Sequence, residues 1–364
     1  MLDLRFIPIV TLIKLGDHKL EMHEKDLIKT FGSLIDDALI VIGNDLIVTD
    51  ANAASIRLLG DKVIGTNLND HIVYSELAEE LSTCLDSRKP VEFPTTPKNN
   101  HYRHIRARMM GWDKDTVIVL LLDMTMQHNL EKMRRDFVAN VSHELRSPLT
   151  SLIGFVETMQ NAPDMESADR QRFLRIMDEE AKRMSRLIND LMSLSKVEAD
   201  EHIIPEGKVF VKSLLMATIN VLSNRALKSG HDIRFHDYRG QKATEPVIRG
   251  GNDEIMEVFQ NLLDNALKYS FPASIIKVEM RDDANGRLAI NIINQGEGIT
   301  EKHIPRLTER FYRVDKGRSR QMGGTGLGLA IVKHIINKHR GDLKITSALN
   351  KETVFSVILP YATD

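Results

Sequence analysis

The sequence predicts a multidomain α+β chain. It should contain a small sheet domain, a long helical hairpin that pairs with a second copy into a four-helix bundle, and an α/β sandwich with helices on one face of a mixed sheet. Three observations predict this. Short β-branched runs with turn residues between them occupy the stretch from 38 to 122. Two long apolar stripes at helical spacing follow, over 126–160 and 167–199, joined by a breaker. Beyond Pro205-Glu206-Gly207, helices and strands of ordinary length alternate to the end.

Bulk composition agrees with several ordinary domains. The chain has 364 residues, of which 42% are hydrophobic and 27% charged, enough for real cores. Lys and Arg number 49 against 51 Asp and Glu, a net charge of −2, which argues against a nucleic-acid surface. The one cysteine, Cys84, excludes an intrachain disulfide, fits a reducing compartment and reads as a packing residue. The most apolar early stretch, Leu4 to Leu15, carries Arg5, Pro8 and Lys14 and falls well short of the roughly 20 residues a span needs. No small-residue cleavage site follows it. No membrane contact is expected from this chain: either it is soluble and cytoplasmic, or membrane spans lie upstream of the part seen here.

Taken in order, residues 1–20 form a leading segment expected to be partly disordered. Residues 21–35 read as a helix with Met22, Leu27, Ile28, Phe31 and Ile35 on one face. Ala38-Leu39-Ile40-Val41-Ile42 and Leu46-Ile47-Val48-Thr49 flank Gly43-Asn44-Asp45, a hairpin pattern. Asp50-Ala51-Asn52-Ala53-Ala54 reads as a short capped helix, and strands are expected at 101–110 and 116–122. His71, His101 and His104 read as surface residues.

Met126 to about Gln160 forms the first long helix. After the breaker Asn161-Ala162-Pro163-Asp164-Met165-Glu166, Ser167 caps a second helix that runs to about Ala199. One such hairpin buries one side only, so a homodimer is the physical expectation. On the first helix, His143 lies two residues from both Val141 and Leu145, so it points away from the apolar stripe into solvent. Glu144 follows it directly, and Ser147 lies one turn on. An exposed imidazole beside a carboxylate is a nucleophile with its base. Pro148 should bend the helix just past the histidine.

In the last part a helix is expected over 210–228, strands at 231–236 and 247–249, and a helix over 252–270. Strands at 275–281 and 287–293 follow, then glycine-rich segments, a helix at 328–339 and strands at 342–347 and 352–359. Glu257, Asn261 and Asn265 share one helix face at i, i+4 and i+8 and need partners there. Mg²⁺ with triphosphate oxygens would supply them, being hard and oxygen-loving. Asn294-Gln295-Gly296-Glu297-Gly298 and Gly323-Gly324-Thr325-Gly326-Leu327-Gly328 supply close-approaching backbone. The second opens a helix whose amides favour phosphate. It fits neither the P-loop nor the dinucleotide fingerprint.

Residues 137–150, FVANVSHELRSPLT, resemble the phosphoacceptor box of sensor histidine kinases. Asn261 to Ser270 and Gly323 to Leu329 resemble that family's ATP-binding boxes, in the family's order. The resemblance covers roughly 126–364. The layout of 21–125 resembles a PAS domain through DANAA and the Asp123-Met124-Thr125 ending, with no bound cofactor expected there. The resemblance implies a dimerisation and phosphotransfer domain at 126–202 and a GHKL-type ATP-binding domain at 203–364. It implies ATP and Mg²⁺ as cofactors and a cognate response regulator as partner.

By resemblance His143 is phosphorylated, Glu144 handles its proton, and Ser147 replaces the Thr or Asn that orients water in dephosphorylation. Asn265 coordinates the metal and Asn261 supports it or the phosphates. Lys268 neutralises phosphate charge and Tyr269 lies near the nucleotide. Arg313, after Phe311-Tyr312, or a basic neighbour reaches phosphate, and Arg318 and Arg320 lie in a lid. Asn294 replaces the family's usual Asp at the adenine amino group, which predicts weaker ATP binding. Many members carry membrane spans upstream, so a longer protein would be anchored there. Within the family the PAS layout and the run RRDFVANVSHELRSPLTSLIGFVETM resemble phosphate-regulon sensors. Two rival readings are a GHKL-type ATPase without phosphohistidine and a PAS-bundle scaffold with a silent nucleotide domain.

Overall fold

The computed structural model describes residues 32–87, 89–162, 164–240, 244–315 and 324–362. The expected leading segment lies outside these, as does the expected helix over 21–35 except for 32–35, of which 32–34 form a turn. The chain divides into two compact units, Met1–Asp136 and Phe137–Asp364.

The first unit is built on a five-stranded antiparallel sheet, ordered β2-β1-β5-β4-β3, as expected of a PAS layout. β1 (Ala38–Gly43) and β2 (Val48–Ala51) form the expected hairpin. Asn52 caps α1 (Ala53–Leu59), and its side chain accepts from the N–H groups of both Ser55 and Leu39. One asparagine thus ends a strand, starts a helix and ties both to β1. α2 (Leu77–Ser87) and β3 (Val91–Thr95) were not expected, although Leu77, Leu81 and Cys84 repeat at helical spacing, while β4 (Ile105–Gly111) and β5 (Thr116–Asp123) fall where expected. Ile40, Ile42, Leu68, Met109 and Val119 form the core, with Cys84 fully buried among them. His101 and His104 are exposed. His71 is half-buried and hydrogen-bonded to Thr66 at 2.7 Å, so it is not simply a surface residue.

α3 (Thr125–Asn161) is continuous through Pro148. α4 (Ser167–Ala199) begins one residue earlier than a serine cap requires. Glu166 holds the cap position without a side-chain capping bond, and Ser167 is already helical, so its hydroxyl does not cap. Phe155 and Phe173 pack across the hairpin with ring centroids 5.2 Å apart. Part of the hairpin's apolar stripe is left wet. Val138, Leu149, Ile153, Ile188 and Met192 are exposed in the single chain.

The C-terminal sheet runs β11-β12-β10-β9-β7, antiparallel except for the parallel pair β7–β9. Its strands are β7 (Asp232–Asp237), β9 (Ile275–Asp282), β10 (Leu288–Gln295), β11 (Asp342–Ser347) and β12 (Glu352–Leu359). A short ladder of β6 (Lys208–Phe210) and β8 (Val247–Arg249) stands apart; β6 was not expected. Three helices, α5 (Val211–Lys228), α6 (Asn252–Tyr269) and α7 (Gly328–Lys338), pack on the sheet.

α6 fixes the site because its sequence carries two stripes. Ile255, Val258, Phe259, Leu262, Leu263 and Ala266 are buried against the sheet. Such a side chain contributes about 1.5–3 kcal/mol when fully buried, so this face dictates the helix rotation. The stripe Asn261, Asp264, Asn265 and Lys268 is thereby aimed at open space.

At the end of β7, Arg239 clamps Asp237 by donating from Nε and Nη2 to its two carboxylate oxygens, and Lys212 adds a third hydrogen bond. Burial pushes the Asp237 carboxyl up, but these bonds outweigh it and hold it down to about 2. A depressed carboxylate stabilises the fold above its unfolded value and loses that contribution as pH falls through the folded one. Asp237→Asn is expected to cost about 1–2 kcal/mol at neutral pH. In urea titrations the gap from the parent chain should close as pH is lowered from about 4 to 2.

Candidate functional site

His143 stands on α3 with its ring exposed. The next residue, Glu144, is half-buried and takes a hydrogen bond from the Arg183 guanidinium on α4 at 2.9 Å. Arg183 lies within 3.6 Å of Glu180 as well. The carboxylate beside His143 is therefore fixed across the hairpin. Ser147, one turn on, is exposed. Pro148 is buried, and with no N–H it cannot bond the Glu144 carbonyl four residues back. The helix passes through it unbroken, so the bend expected there does not interrupt α3.

A cleft of about 370 Å³ opens over α6, a volume suited to a small-molecule ligand. Asn261, Asn265, Lys268 and Tyr269 line it from α6. Asn294, Gly296 and Gly298 line it from the end of β10, and Arg313 from the following loop. Gly324, Thr325, Gly326 and Gly328 close it from the start of α7. The sequence-predicted set thus converges on one cavity, with two exceptions. Leu327 is fully buried in the core with Ile331 and does not line the cleft. Glu257 does not turn to the cleft; the Ser193 hydroxyl of α4 donates to both its carboxylate oxygens, at 2.7 and 2.8 Å. Gly323, Arg318 and Arg320 lie outside the described residues.

Two glycines are required by shape. Gly298 has φ +75°, and a methyl there would collide with the Ala348 carbonyl. Gly326 has φ +76°, and a methyl would sit 2.9 Å from the Phe311 Cα. Phe311 itself adopts φ 61°, and its N–H donates to the Gly326 carbonyl at 2.8 Å. Phe311 and the glycine loop are thus one backbone-locked unit, with the Phe311 ring against Phe137 of α3 at 5.9 Å between centroids.

The cleft is electrically mixed. Burial holds the Lys268 ammonium below its usual range; Asp264 and Asp190 oppose this, while Arg186 and Arg225 add to it. Burial raises the Asp190 carboxyl, against the pull of Thr325, Lys268 and Arg186. Asn294 is almost wholly buried, opposite Thr353 on β12. Asn261 and Asn265 offer hard carboxamide oxygens beside a lysine, a donor set that fits Mg²⁺ carried on phosphate. Sequence reasoning missed Arg186 and Asp190, which line the cleft from α4. Nothing in their spacing separates them from the solvated face of an ordinary helix.

Comparison with known proteins agrees with this geometry. Residues 133–200 match the His Kinase A phospho-acceptor domain, and 250–363 match the histidine kinase-, DNA gyrase B- and HSP90-like ATPase domain. WalK sensor kinases of Staphylococcus saprophyticus and Bacillus subtilis are 37% and 34% identical over 67% and 68% of this chain, which spans 39% and 40% of their lengths. The histidine kinase ThkA, solved with the response regulator protein TrrA, shares the fold at 20% identity and a TM-score of 0.51, over 89% of this chain and 96% of its own. The phosphate regulon sensor protein PhoR of Pseudomonas aeruginosa is 36% identical over 337 residues, 91% of this chain and 73% of that protein. With that match across most of both sequences, and with a wet histidine and an asparagine-lined cleft in one unit, the chain belongs to the sensor histidine kinases.

Proposed function

We propose that the chain autophosphorylates on His143 from ATP and passes the phosphoryl group to an aspartate of a response regulator. The observation that carries this is the pairing of an exposed His143, next to a pinned Glu144, with a cleft that gathers twelve residues expected to hold nucleotide. Glu144 takes or holds the proton of one ring nitrogen, and the other attacks the γ-phosphorus in line. An N–P bond forms, the bond from that phosphorus to the β,γ-bridging oxygen breaks, and ADP leaves. Asn265, with Asn261, would hold Mg²⁺, which neutralises charge on the phosphates when bound.

The exposed stripe on α3 and α4 is the surface a second copy would cover, making the four-helix bundle and a homodimer. Ser147 retains the hydroxyl for orienting a hydrolytic water, so the same site would also dephosphorylate its partner. Among the described residues no helix is long and apolar enough to cross a membrane. A cytoplasmic chain, tethered upstream in a longer protein, fits this reading.

The test is incubation with Mg²⁺ and ATP labelled at the γ-position. The kinase reading expects acid-labile, alkali-stable phosphate on the protein. An ATPase would release free phosphate only, and a scaffold would do neither. Asn294 gives a second measurement. Its side-chain oxygen can accept from an adenine amino group but carries no charge. Asn294→Asp should tighten ATP binding in titration calorimetry; unchanged affinity would show that the position does not weaken the site.

A further inference from the structure

Arg186 projects from the hairpin into the rim of the nucleotide cleft, on the same helix as Arg183, the partner of Glu144. This part of α4 meets the glycine loop. Asp190, one turn on, accepts a 2.6 Å hydrogen bond from Thr325 of the glycine loop. Lys268 is close enough for Arg186 to act on its charge.

The neighbouring arginines are occupied: Arg183 pairs with Glu144, and Arg225 with Asp264 at 2.6 Å. Arg186 differs. Among the described residues its one hydrogen bond is a long one, 3.4 Å, to the Lys182 carbonyl. Lys268, Arg186 and Arg225 face Asp190 and Asp264, three cations against two carboxylates, an excess of positive charge that an anionic ligand would neutralise.

We propose that Arg186 contacts the terminal phosphate of ATP in this cleft. The hairpin thereby supplies a catalytic cation to the nucleotide held by the α/β sandwich. The assignment rests on the cleft being the ATP site. A planar fork matches two phosphate oxygens at once, which a lysine cannot do. Charge developing on the transferring group would strengthen the contact in the transition state. Because the residue comes from the phosphoacceptor hairpin, the cradle is complete only where α4 meets the glycine loop.

The full chain is compared with Arg186→Gln and Arg186→Lys, using ATP and ADP binding by calorimetry and autophosphorylation rates. The side chain is exposed, so melting curves should match the parent. Arg186→Gln is expected to weaken ATP binding about tenfold while leaving ADP within about twofold, and to lower kcat/KM about 100-fold. Arg186→Lys should recover part of the ATP affinity and little of the rate. Equal binding of ATP by parent and Arg186→Gln, or equal loss for ATP and ADP, overturns the assignment. If the parent chain binds neither nucleotide, the reading of the cleft falls, and the role of Arg186 falls with it.

Discussion

A His143→Gln chain incubated with labelled ATP and Mg²⁺ is expected to carry no acid-labile phosphate, a loss of at least about a thousandfold against the parent. The size follows from position. Glutamine keeps a polar, exposed side chain on α3, so helix and hairpin survive, but its amide is no nucleophile at neutral pH. The Glu144–Arg183 pair lies on the neighbouring side of the helix and does not depend on the ring. ATP affinity should stay within about twofold, because the cleft is built by α6, the β10 loop, the glycine loop and α4. Measuring both together separates loss of the acceptor from loss of the fold. Retained phosphate on the variant would place the acceptor elsewhere.

The second large effect is expected from Gly298→Ala. A left-handed backbone costs a residue with Cβ about 1–2 kcal/mol. Here the methyl would also meet the Ala348 carbonyl, which cannot rotate away as a side chain could. The Asn350 N–H, which donates to the Glu297 carbonyl at 2.8 Å, would be pulled with it. The loop after β10 must then shift, and with it Gly296 and the floor of the cleft. ATP affinity should fall at least about tenfold while the melting temperature drops by a few degrees. Unchanged nucleotide binding would show that this loop does not shape the site.

Much of this was readable in the residues, and the limits have physical causes. α3, α4, α6 and α7 were legible because long amphipathic periods with clear breakers leave little freedom. The strands of the C-terminal sheet alternate or run apolar between turns, so they were found to within a residue or two. β3 and β6 were missed because short edge strands take their shape from a partner and carry little pattern of their own. Asn261 and Asn265 were found because polar residues in an apolar run must satisfy themselves, whereas Asn294 was found through the family resemblance. Leu327 was misplaced because a motif names consecutive positions, whereas a helix start turns each side chain about 100° from the last. Glu257 was credited to the metal because sequence shows a shared helix face but not the neighbour that covers one end of it. Arg186 and Asp190 stayed hidden for the same reason: cleft membership there is set by tertiary contact.

The last turns of α4 are not merely a stalk. Leu187, Leu194 and Val197 are buried in one cluster with Leu215, Ile331 and Ile335 of the sandwich. Glu201 just beyond binds His334 at 2.7 Å and Asn337 at 3.1 Å. A recombinant fragment trimmed to begin at 203 would strip that lining and leave a greasy scar along α7. One begun near 186 would carry its own plug, and is the better starting point for crystals or titrations of the isolated catalytic half.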